Sequence, residues 1–227
     1  MTPIDVQIGD GHVRFTGRAE GDLGPGSVDP IDIVERRRRA VLDRPWSWVR
    51  QVHRAGVVVV HEPGGASGTE ADALVTTDTN AALAIFTADC APIALVGGSG
   101  GTHVLAAAHA GWRGLMEGVV DAAVDAVRAH GASTIEAAIG PCIHVECYAF
   151  SPADLDGIAS RFGPEVRGTT SDGQPALDVP AMVRSALGRA GVEVVYESDV
   201  CTGCSHDLFS HRARRERERQ AMLIWSE

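Results

Sequence analysis

The sequence predicts an α+β fold, a single domain over residues 1–227 in which β-sheets of mixed direction combine with helices. Short apolar segments typical of strands come in runs, and helical patterns lie between these runs rather than after each strand. No linker long enough to separate domains and no internal repeat interrupts the chain. A chain of 227 residues is also long enough to bury a substantial core within one domain.

The N-terminal half is predicted to be mostly strands. Residues 4–8 alternate apolar and polar side chains and reach residues 13–15 through a glycine-containing turn, which is a hairpin signature. A glycine-rich loop then leads to a helix beginning near residues 29–30, whose arginines 36–39 we interpret as a solvated surface. The glycine-rich stretch 97–101 precedes a strand and lacks the Walker lysine, so we expect a hairpin turn there. Further strands are predicted at 46–52, 57–61, 73–76, 83–86, 93–96 and 104–108.

The C-terminal half is predicted to be richer in helices. Apolar residues recur at helical spacing from Leu115 to His130, and Gly131 is a natural stop. A strand at 135–139, helices near 152–162 and 179–190, and a closing strand at 221–225 complete the prediction. The charged segment 212–219 is expected to be an exposed loop.

Composition excludes several classes of function. The formal net charge of −10 disfavours nucleic-acid binding, which needs a positive surface. No apolar stretch is long enough to span a membrane, and the N-terminal residues lack a secretory signal pattern, so we expect a cytoplasmic protein without membrane partners. Five cysteines in such a chain favour reduced thiols with ligand or catalytic roles over disulfides.

The segment 109–114 (HAGWRG) is the first candidate site. It follows an apolar run that is typical of a buried strand, and His109 stands at the end of this run. A helix is expected to start after Gly111, and free backbone N–H groups at a helix start suit an anion. Gly111 and Arg113 are therefore candidate anion-binding residues, although Arg113 also fits an ordinary surface position.

Two more residues extend this site to a candidate metal centre. His53, Cys90 and His109 each lie at the end of a different predicted strand. Two imidazoles and one thiolate are a known zinc ligand set, and a fourth, open position is typical of catalytic zinc. Asp89 is a candidate for orienting a ligand histidine or carrying a proton. The spacings match no local zinc signature. His53 as a surface histidine, Cys90 as a buried structural thiol and His109 as a core histidine therefore remain alternatives.

Five ordered segments resemble the signature blocks of the YfiH-like family, which is also labelled polyphenol oxidase, laccase domain and peptidoglycan editing factor. They are 51–53 (QVH), 71–76 (ADALVT), 87–92 (TADCAP), 109–114 (HAGWRG) and 139–143 (IGPCI), and residues 201–202 and 210–212 resemble its C-terminal block. The resemblance implies a sandwich of mixed sheets flanked by helices, with zinc on His53, Cys90 and His109. It also implies phosphorolysis of adenosine, inosine and methylthioadenosine, and deamination of adenosine.

The expected partners are thus a nucleoside and phosphate, with Arg212 as a further phosphate or ribose contact and a monomer or homodimer as the assembly. The chain departs from the usual family pattern at Asp22, Arg36, Ala149 and His211, where asparagine, asparagine, glutamate and tyrosine are common. None of these positions is a proposed metal ligand. The departures bear on substrate preference instead.

Other functions compete with this one. A cysteine hydrolase that uses Cys90 as nucleophile and His109 as base is the main alternative, suited to editing peptidoglycan precursors. None of the nine histidines forms a His-x-His pair, which disfavours copper oxidase chemistry, with copper binding in vitro to a zinc-type site still open. A non-catalytic interaction domain is a third alternative. Cys201 and Cys204 form a lone Cys-x-x-Cys, which we interpret as a structural turn. The alternatives are a second metal site, a redox pair, or a role for Cys201 in lining the first site.

Overall fold

Two six-stranded sheets of mixed direction form the centre of the computed structural model, which describes residues 2–99 and 102–226. The described strands, in chain order, are β1 (Ile4–Ile8), β2 (Gly11–Phe15), β3 (Trp46–Arg50), β4 (Val57–Val60), β5 (Thr69–Glu70), β6 (Ala73–Thr76), β7 (Ala82–Thr87), β8 (Ala91–Ser99), β9 (Thr102–Ala110), β10 (Thr134–Ile139), β11 (Arg167–Thr169), β12 (Pro175–Leu177), β13 (Glu193–Glu197) and β14 (Gln220–Ser226).

The first sheet has the order β1-β2-β14-β7-β3-β5, and the second has the order β13-β10-β8-β9-β6-β4. Antiparallel pairs form the middle of each sheet, whereas β3 joins β7 in parallel and the two edge strands of the second sheet are also parallel to their neighbours. β11 and β12 form a separate antiparallel pair. The predicted α+β fold, in which sheets of mixed direction combine with helices, is confirmed.

Alternation along the strands divides the core into layers. Leu83 and Ile85 of β7 pack with Leu105 and Ala107 of β9 between the two sheets. The intervening residues of β9 point to the opposite face of the second sheet, where helices cover them, because side chains alternate along a strand. The sheets therefore form a sandwich with helices on both outer faces, as the family resemblance implied.

Helices cover each outer face. The first helix, with Val41, packs near Trp46 and Phe86 on the first sheet, and the second to fifth helices cover the second sheet. The described helices are α1 (Ile31–Val41), α2 (Trp112–Glu117), α3 (Val119–Ala129), α4 (Pro152–Phe162), α5 (Val179–Arg189) and α6 (His211–Arg214). No helix in this part of the chain has the length and apolar character that crossing a membrane requires.

Most predicted elements are confirmed, but the single helix from Leu115 to His130 is wrong. Gly118 has a left-handed backbone with φ of 93°, and its N–H bonds the carbonyls of Gly114 and Leu115, which ends α2. A second helix, α3, starts at the next residue. The sequence also failed to indicate β13, which pairs in parallel with β10.

The glycine-rich stretch 97–101 begins as part of a strand. Gly97 and Gly98 belong to β8 and pair with Val104 and His103, so β8 and β9 form the expected hairpin. The prediction of a turn is wrong for residues 97–99, and residues 100 and 101 lie outside the described part of the chain.

Both arginine clusters differ from the prediction. Arg36 is exposed, but Arg38 is buried, donates to the carbonyl of Leu23 at 2.9 Å and lies over the ring of Phe86. The segment 212–219 is not simply an exposed loop, because it begins within α6 and Arg214 donates to the carbonyls of Thr202 and Leu208. Backbone carbonyls without strand partners thus receive their hydrogen bonds from arginines.

Candidate metal centre and cleft

Three side chains that the sequence singled out converge at one end of the sandwich. His53 lies in the loop after β3, Cys90 in the turn between β7 and β8, and His109 next to the last residue of β9. One nitrogen of each imidazole and the sulfur of Cys90 all lie within 4.8 Å of one another. The structure therefore brings all three predicted ligands together.

Asp72, just before β6, holds this arrangement in place. One of its carboxylate oxygens accepts from Nδ1 of His109 at 2.8 Å and from the backbone N–H of His53 at 2.9 Å. The other accepts from the backbone N–H of Arg54 at 2.7 Å. Burial alone would raise the pKa of Asp72, but the bonds from His109 and these N–H groups lower it. Asp72 was not predicted from the sequence, although an acidic residue next to a buried strand was the available signal.

The main-chain fold around His53 follows from the same carboxylate. His53 has a positive φ of 58°, a conformation that few residues other than glycine adopt without support. The backbone N–H groups of Val52, His53 and Arg54 all donate to Asp72, which supplies that support. The loop is therefore held in the conformation that turns His53 toward His109.

The missing side chain of Gly111 leaves the space that His53 and Cys90 occupy. A Cβ atom at this position would lie 2.8 Å from Nδ1 of His53 and 3.0 Å from the sulfur of Cys90. Two imidazole nitrogens and a thiolate are donors that zinc and copper accept, and the hydrogen bond from His109 to Asp72 leaves Nε2 as the free nitrogen. The residues therefore fit a possible metal site.

Charge coupling between Cys90 and His109 is strong. Burial would raise the pKa of the Cys90 thiol, but the charge of His109 and hydrogen bonds from both histidines lower it to about 6. Burial would lower the pKa of His109, but the charge of Cys90 and the bond to Asp72 raise it to about 9. Without a metal, the pair is thus a thiolate and an imidazolium at neutral pH.

Asp89 stands beside Cys90 but faces other partners. Its carboxylate accepts from the hydroxyl of Thr202 at 2.7 Å, the hydroxyl of Ser210 at 2.6 Å and the backbone N–H of Arg212 at 2.6 Å. Asp72, rather than Asp89, orients His109. A role for Asp89 as a proton carrier stays a prediction.

An open cleft of about 920 Å³ lies over the three converging side chains. Its charge is opposite to that of the whole chain, since five arginines and two aspartates line it while the formal net charge is −10. The predicted residues Arg113 and Arg212 are among these arginines. The arginines and aspartates that line the cleft are Arg50, Asp89, Arg113, Asp154, Arg212, Arg217 and Arg219. Such a cleft favours an anionic ligand.

Aromatic rings form part of the cleft wall. Phe150 contacts both Trp112 and Tyr148 edge to face, with ring centroids 5.3 and 5.4 Å apart. The guanidinium of Arg113 lies 4.7 Å from the ring centre of Trp112, and that of Arg212 lies 4.5 Å from that of Tyr148. Each cation is thus placed by stacking on an aromatic face. None of these three aromatic residues was predicted from the sequence to line a site.

The four departures from the family pattern fall in different places. Ala149 and His211 line the cleft, so they can affect what binds there. Asp22 is buried and accepts from the backbone N–H groups of Gly24 and Arg219. Arg36 is exposed on α1 and pairs with Asp32.

Cys201 is not part of this site. Neither it nor Cys204 lines the cleft among the described residues, so a lining role for Cys201 is not supported. Both thiols belong to a second cluster, with Glu146 and Cys147.

Comparisons with known proteins agree with the family resemblance. Residues 15–227 match the family model described as multi-copper polyphenol oxidoreductase laccase. A protein of Streptomyces coelicolor named purine nucleoside phosphorylase is 40% identical over 212 residues, which cover 92% of this chain and 86% of that protein.

Two solved structures resemble the whole fold. A Neisseria meningitidis protein aligns with a TM-score of 0.85 and 28% identity, covering all of both chains. The Bacillus licheniformis protein YfiH aligns with a TM-score of 0.84 and 25% identity, covering 96% of this chain and 93% of its own.

Proposed function

The chain belongs to the family described as multi-copper polyphenol oxidoreductase laccase, and on that premise we propose that it is a zinc-dependent purine nucleoside phosphorylase. The convergence of His53, Cys90 and His109 beneath an arginine-lined cleft is the observation that carries the proposal. The name of the Streptomyces coelicolor relative supports the substrate class. The proposed substrates are adenosine, inosine and methylthioadenosine, each with phosphate.

Zinc is proposed because of the donor set. His53, Cys90 and His109 would supply two imidazoles and one thiolate, which is three of the four ligands that zinc usually takes, and a fourth would come from water or substrate. When bound, zinc supplies a Lewis acid and lowers the pKa of coordinated water. Two clusters of side chains among the described residues could hold a metal ion, and only the cluster of His53, Cys90 and His109 contains histidine. A multi-copper cluster needs several histidine groups, so the ligand set does not support the oxidase chemistry in the family description.

Arginine side chains are proposed to hold the phosphate. Guanidinium groups form paired hydrogen bonds to phosphate oxygens, and those of Arg113 and Arg212 are already oriented by Trp112 and Tyr148. The helix that follows Gly111 has only six residues, so its dipole contributes less than these two full charges. Binding of phosphate by Gly111 stays a prediction.

The purine is proposed to stack on the aromatic wall. The rings of Trp112, Tyr148 and Phe150 lie on one side of the cleft, and stacking a base on such a ring contributes about 1–3 kcal/mol. Stacking does not distinguish adenine from hypoxanthine, which is consistent with several purine substrates.

The reaction itself is a displacement at the ribose. A phosphate oxygen forms a bond to C1′ as the bond between C1′ and the purine breaks. The base leaves with the electron pair of that bond and takes up the proton that the hydrogen phosphate loses, which gives free purine and ribose 1-phosphate, or 5-methylthioribose 1-phosphate from methylthioadenosine. The contribution of Arg113 and Arg212 is to bring the anionic nucleophile to the ribose in a fixed orientation.

The test measures products and metal together. Purified protein of known metal content is incubated with adenosine, with and without phosphate. Adenine that forms only with phosphate supports the proposal, and its loss in His53→Ala, with retention in the exposed variant Arg36→Ala, assigns it to this centre. Free adenine in neither condition, from fully metal-loaded protein, would refute it.

Adenosine deamination is proposed as a second activity of the same centre. Water replaces phosphate as the nucleophile, attacks the purine ring and releases ammonia, so inosine is the product. The cleft over the three candidate ligands would give a purine ring access to a metal held there, which favours this activity. Inosine produced without phosphate, and lost together with the metal, would support it.

The Cys90–His109 pair favours one alternative, a cysteine hydrolase. A thiolate with a pKa near 6 beside an imidazolium is the arrangement that such enzymes use. Activity that survives complete removal of metal would support the hydrolase over the phosphorylase.

We also propose a cytoplasmic location for the protein, which is supported by the five cysteines being free thiols.

A further inference from the structure

A second cluster of metal-ligating side chains lies outside the cleft. It consists of Glu146, Cys147, Cys201 and Cys204, and one ligand atom from each lies within 4.8 Å of all the others. Glu146 and Cys147 come from the single helical turn Val145–Cys147, whereas the other two come from the turn after β13. The four side chains thus arrive in two pairs from distant parts of the chain.

Individual contacts show that the four groups face a common centre. The sulfurs of Cys147 and Cys204 are 3.2 Å apart, and the Cys204 thiol donates to a carboxylate oxygen of Glu146 at 3.4 Å. The backbone N–H of His144 donates to the sulfur of Cys201 at 3.3 Å. Hydrogen bonds from backbone N–H groups orient a thiolate ligand and stabilise its negative charge.

We propose that Glu146, Cys147, Cys201 and Cys204 form a structural zinc site. Four protein ligands close the coordination sphere, which is typical of structural rather than catalytic zinc. With a zinc–sulfur distance of about 2.3 Å, tetrahedral ligands lie about 3.8 Å apart. The ligand atoms already lie within 4.8 Å of one another, so small side-chain movements are sufficient.

The charge of the cluster also favours a cation. None of the ion pairs among the described residues includes Glu146, and no arginine hydrogen-bonds to the three thiols there. Three thiolates and a carboxylate would repel one another unless a positive charge lies between them, so without a metal the thiols keep their protons and Cys204 donates to Glu146. Zinc supplies that positive charge and takes thiolate ligands readily.

The position of this site links it to the cleft. Tyr148, which directly follows Cys147, lines the cleft and stacks with Arg212. Thr202, which directly follows Cys201, donates to Asp89 beside the first metal centre. A metal that joins the two turns would therefore hold Tyr148 and Thr202 at a fixed separation and stabilise this side of the cleft.

Metal content is the direct test of this site. Protein purified under argon with a non-thiol reductant is analysed for zinc per chain. We expect Cys204→Ser and Cys147→Ser each to lose one zinc relative to the wild type. The control is Cys142→Ala, which removes a buried thiol that is not in the cluster and should lose none.

A second variant separates the two metal sites. His53→Ala disables the first centre, and we expect it to keep the zinc that depends on Cys204. Cobalt added to metal-free His53→Ala protein should produce thiolate-to-cobalt charge-transfer absorption with the d–d bands of a tetrahedral ion. Because this readout needs no enzymatic activity and no metal at the first centre, it stands or falls independently of the phosphorylase proposal.

Three outcomes would overturn the site. One is equal zinc content in Cys204→Ser and wild type. Another is the absence of tetrahedral cobalt bands in folded His53→Ala protein, which also decides the question if the cysteine variants fail to fold. The third is wild-type protein that lacks this zinc and whose mass is lower by two hydrogens. Because the sulfurs of Cys147 and Cys204 are only 3.2 Å apart, that mass would show a disulfide between them, formed by an external oxidant.

Discussion

Nδ1 of His109 donates to a carboxylate oxygen of Asp72 across 2.8 Å, and both side chains are buried at the base of the cleft. This bond decides which nitrogen of His109 is free for a metal, because an imidazole whose Nδ1 carries the proton has its lone pair on Nε2. The same carboxylate holds the backbone of His53. Asp72 therefore orients two of the three candidate ligands without being a candidate ligand itself.

Replacement of Asp72 should weaken metal binding more than it changes the fold. In Asp72→Asn the single amide oxygen can replace the one that accepts from His109 and His53, but the amide nitrogen cannot accept from the backbone N–H groups of Val52 and Arg54, and the negative charge facing His109 is lost. Loss of such an orienting group costs about 10–100-fold in metal affinity. Chelator competition at fixed pH measures the dissociation constant.

The control for this substitution is Asp125→Asn, which makes the same chemical change at an exposed position on α3. It should leave the dissociation constant unchanged. Equal metal affinity in Asp72→Asn and wild type would show that the hydrogen bond to His109 does not support the site.

A methyl group at position 111 should close the metal site from the inside. In Gly111→Ala the Cβ would approach Nδ1 of His53 to 2.8 Å, closer than side-chain atoms normally come. Its φ of −76° is ordinary, so no backbone strain is added. We expect loss of the metal with the fold retained, measured by metal content and circular dichroism.

Gly157→Ala provides the matched control, because a Cβ at this exposed position of α4 meets no atom within 4 Å. Alanine is the better helix former by about 1 kcal/mol, so this variant should bind metal normally and unfold at a slightly higher temperature. If Gly111→Ala also keeps its metal, the three side chains have more room than the structure gives them.

Local pattern was sufficient for most of the fold but not for its interruptions. Alternation predicts the hairpin at residues 4–15 and helical periodicity predicts α4, because both signals lie within a few residues. The break at Gly118 was missed because Val119 and Val120 continue the apolar spacing of the preceding turn. β13 was missed because its burial alternates only weakly at the edge of a sheet.

The site could be predicted as a set of ligands but not as a connected structure. His53, Cys90 and His109 stand at ends of predicted strands, which is where side chains converge. The bond between Asp72 and His109 joins residues 37 positions apart, and no local pattern encodes it. The partners of Cys204 were hidden for the same reason, since Cys147 is 57 positions away.

Removal of the metal should make Cys90 the most reactive thiol in the protein. Its pKa of about 6 leaves about 90% of the thiol ionised at pH 7, and thiolate is the form that reacts with iodoacetamide. Cys201, whose pKa burial raises to about 11, should stay almost unmodified. Peptide mass spectrometry after short alkylation measures both rates between pH 5 and 8.

The sign of the pH dependence follows from the depressed pKa. The rate at Cys90 should fall as pH drops through about 6 and stay level above 7, and His109→Asn should move this midpoint upward because the positive charge is lost. Added zinc should protect Cys90. Equal alkylation with and without bound metal would show that Cys90 is not a ligand.

Asp89→Asn should destabilise the protein while leaving metal affinity within about threefold of wild type. Asparagine tolerates the positive φ of 108° at this position, so the change isolates the carboxylate. One carboxylate oxygen accepts from the hydroxyls of Thr202 and Ser210 and the other from the backbone N–H of Arg212, so the single amide oxygen can replace only one of them, and each buried donor left unpaired costs about 1–3 kcal/mol. Urea unfolding measures the loss of stability.

A double-mutant cycle with Thr202→Val tests its cause. If the two residues are coupled, Thr202→Val should lower the free energy of unfolding less in the Asp89→Asn background than in wild type. A variant that unfolds like wild type but loses over 100-fold in kcat would instead support the role of Asp89 as a proton carrier.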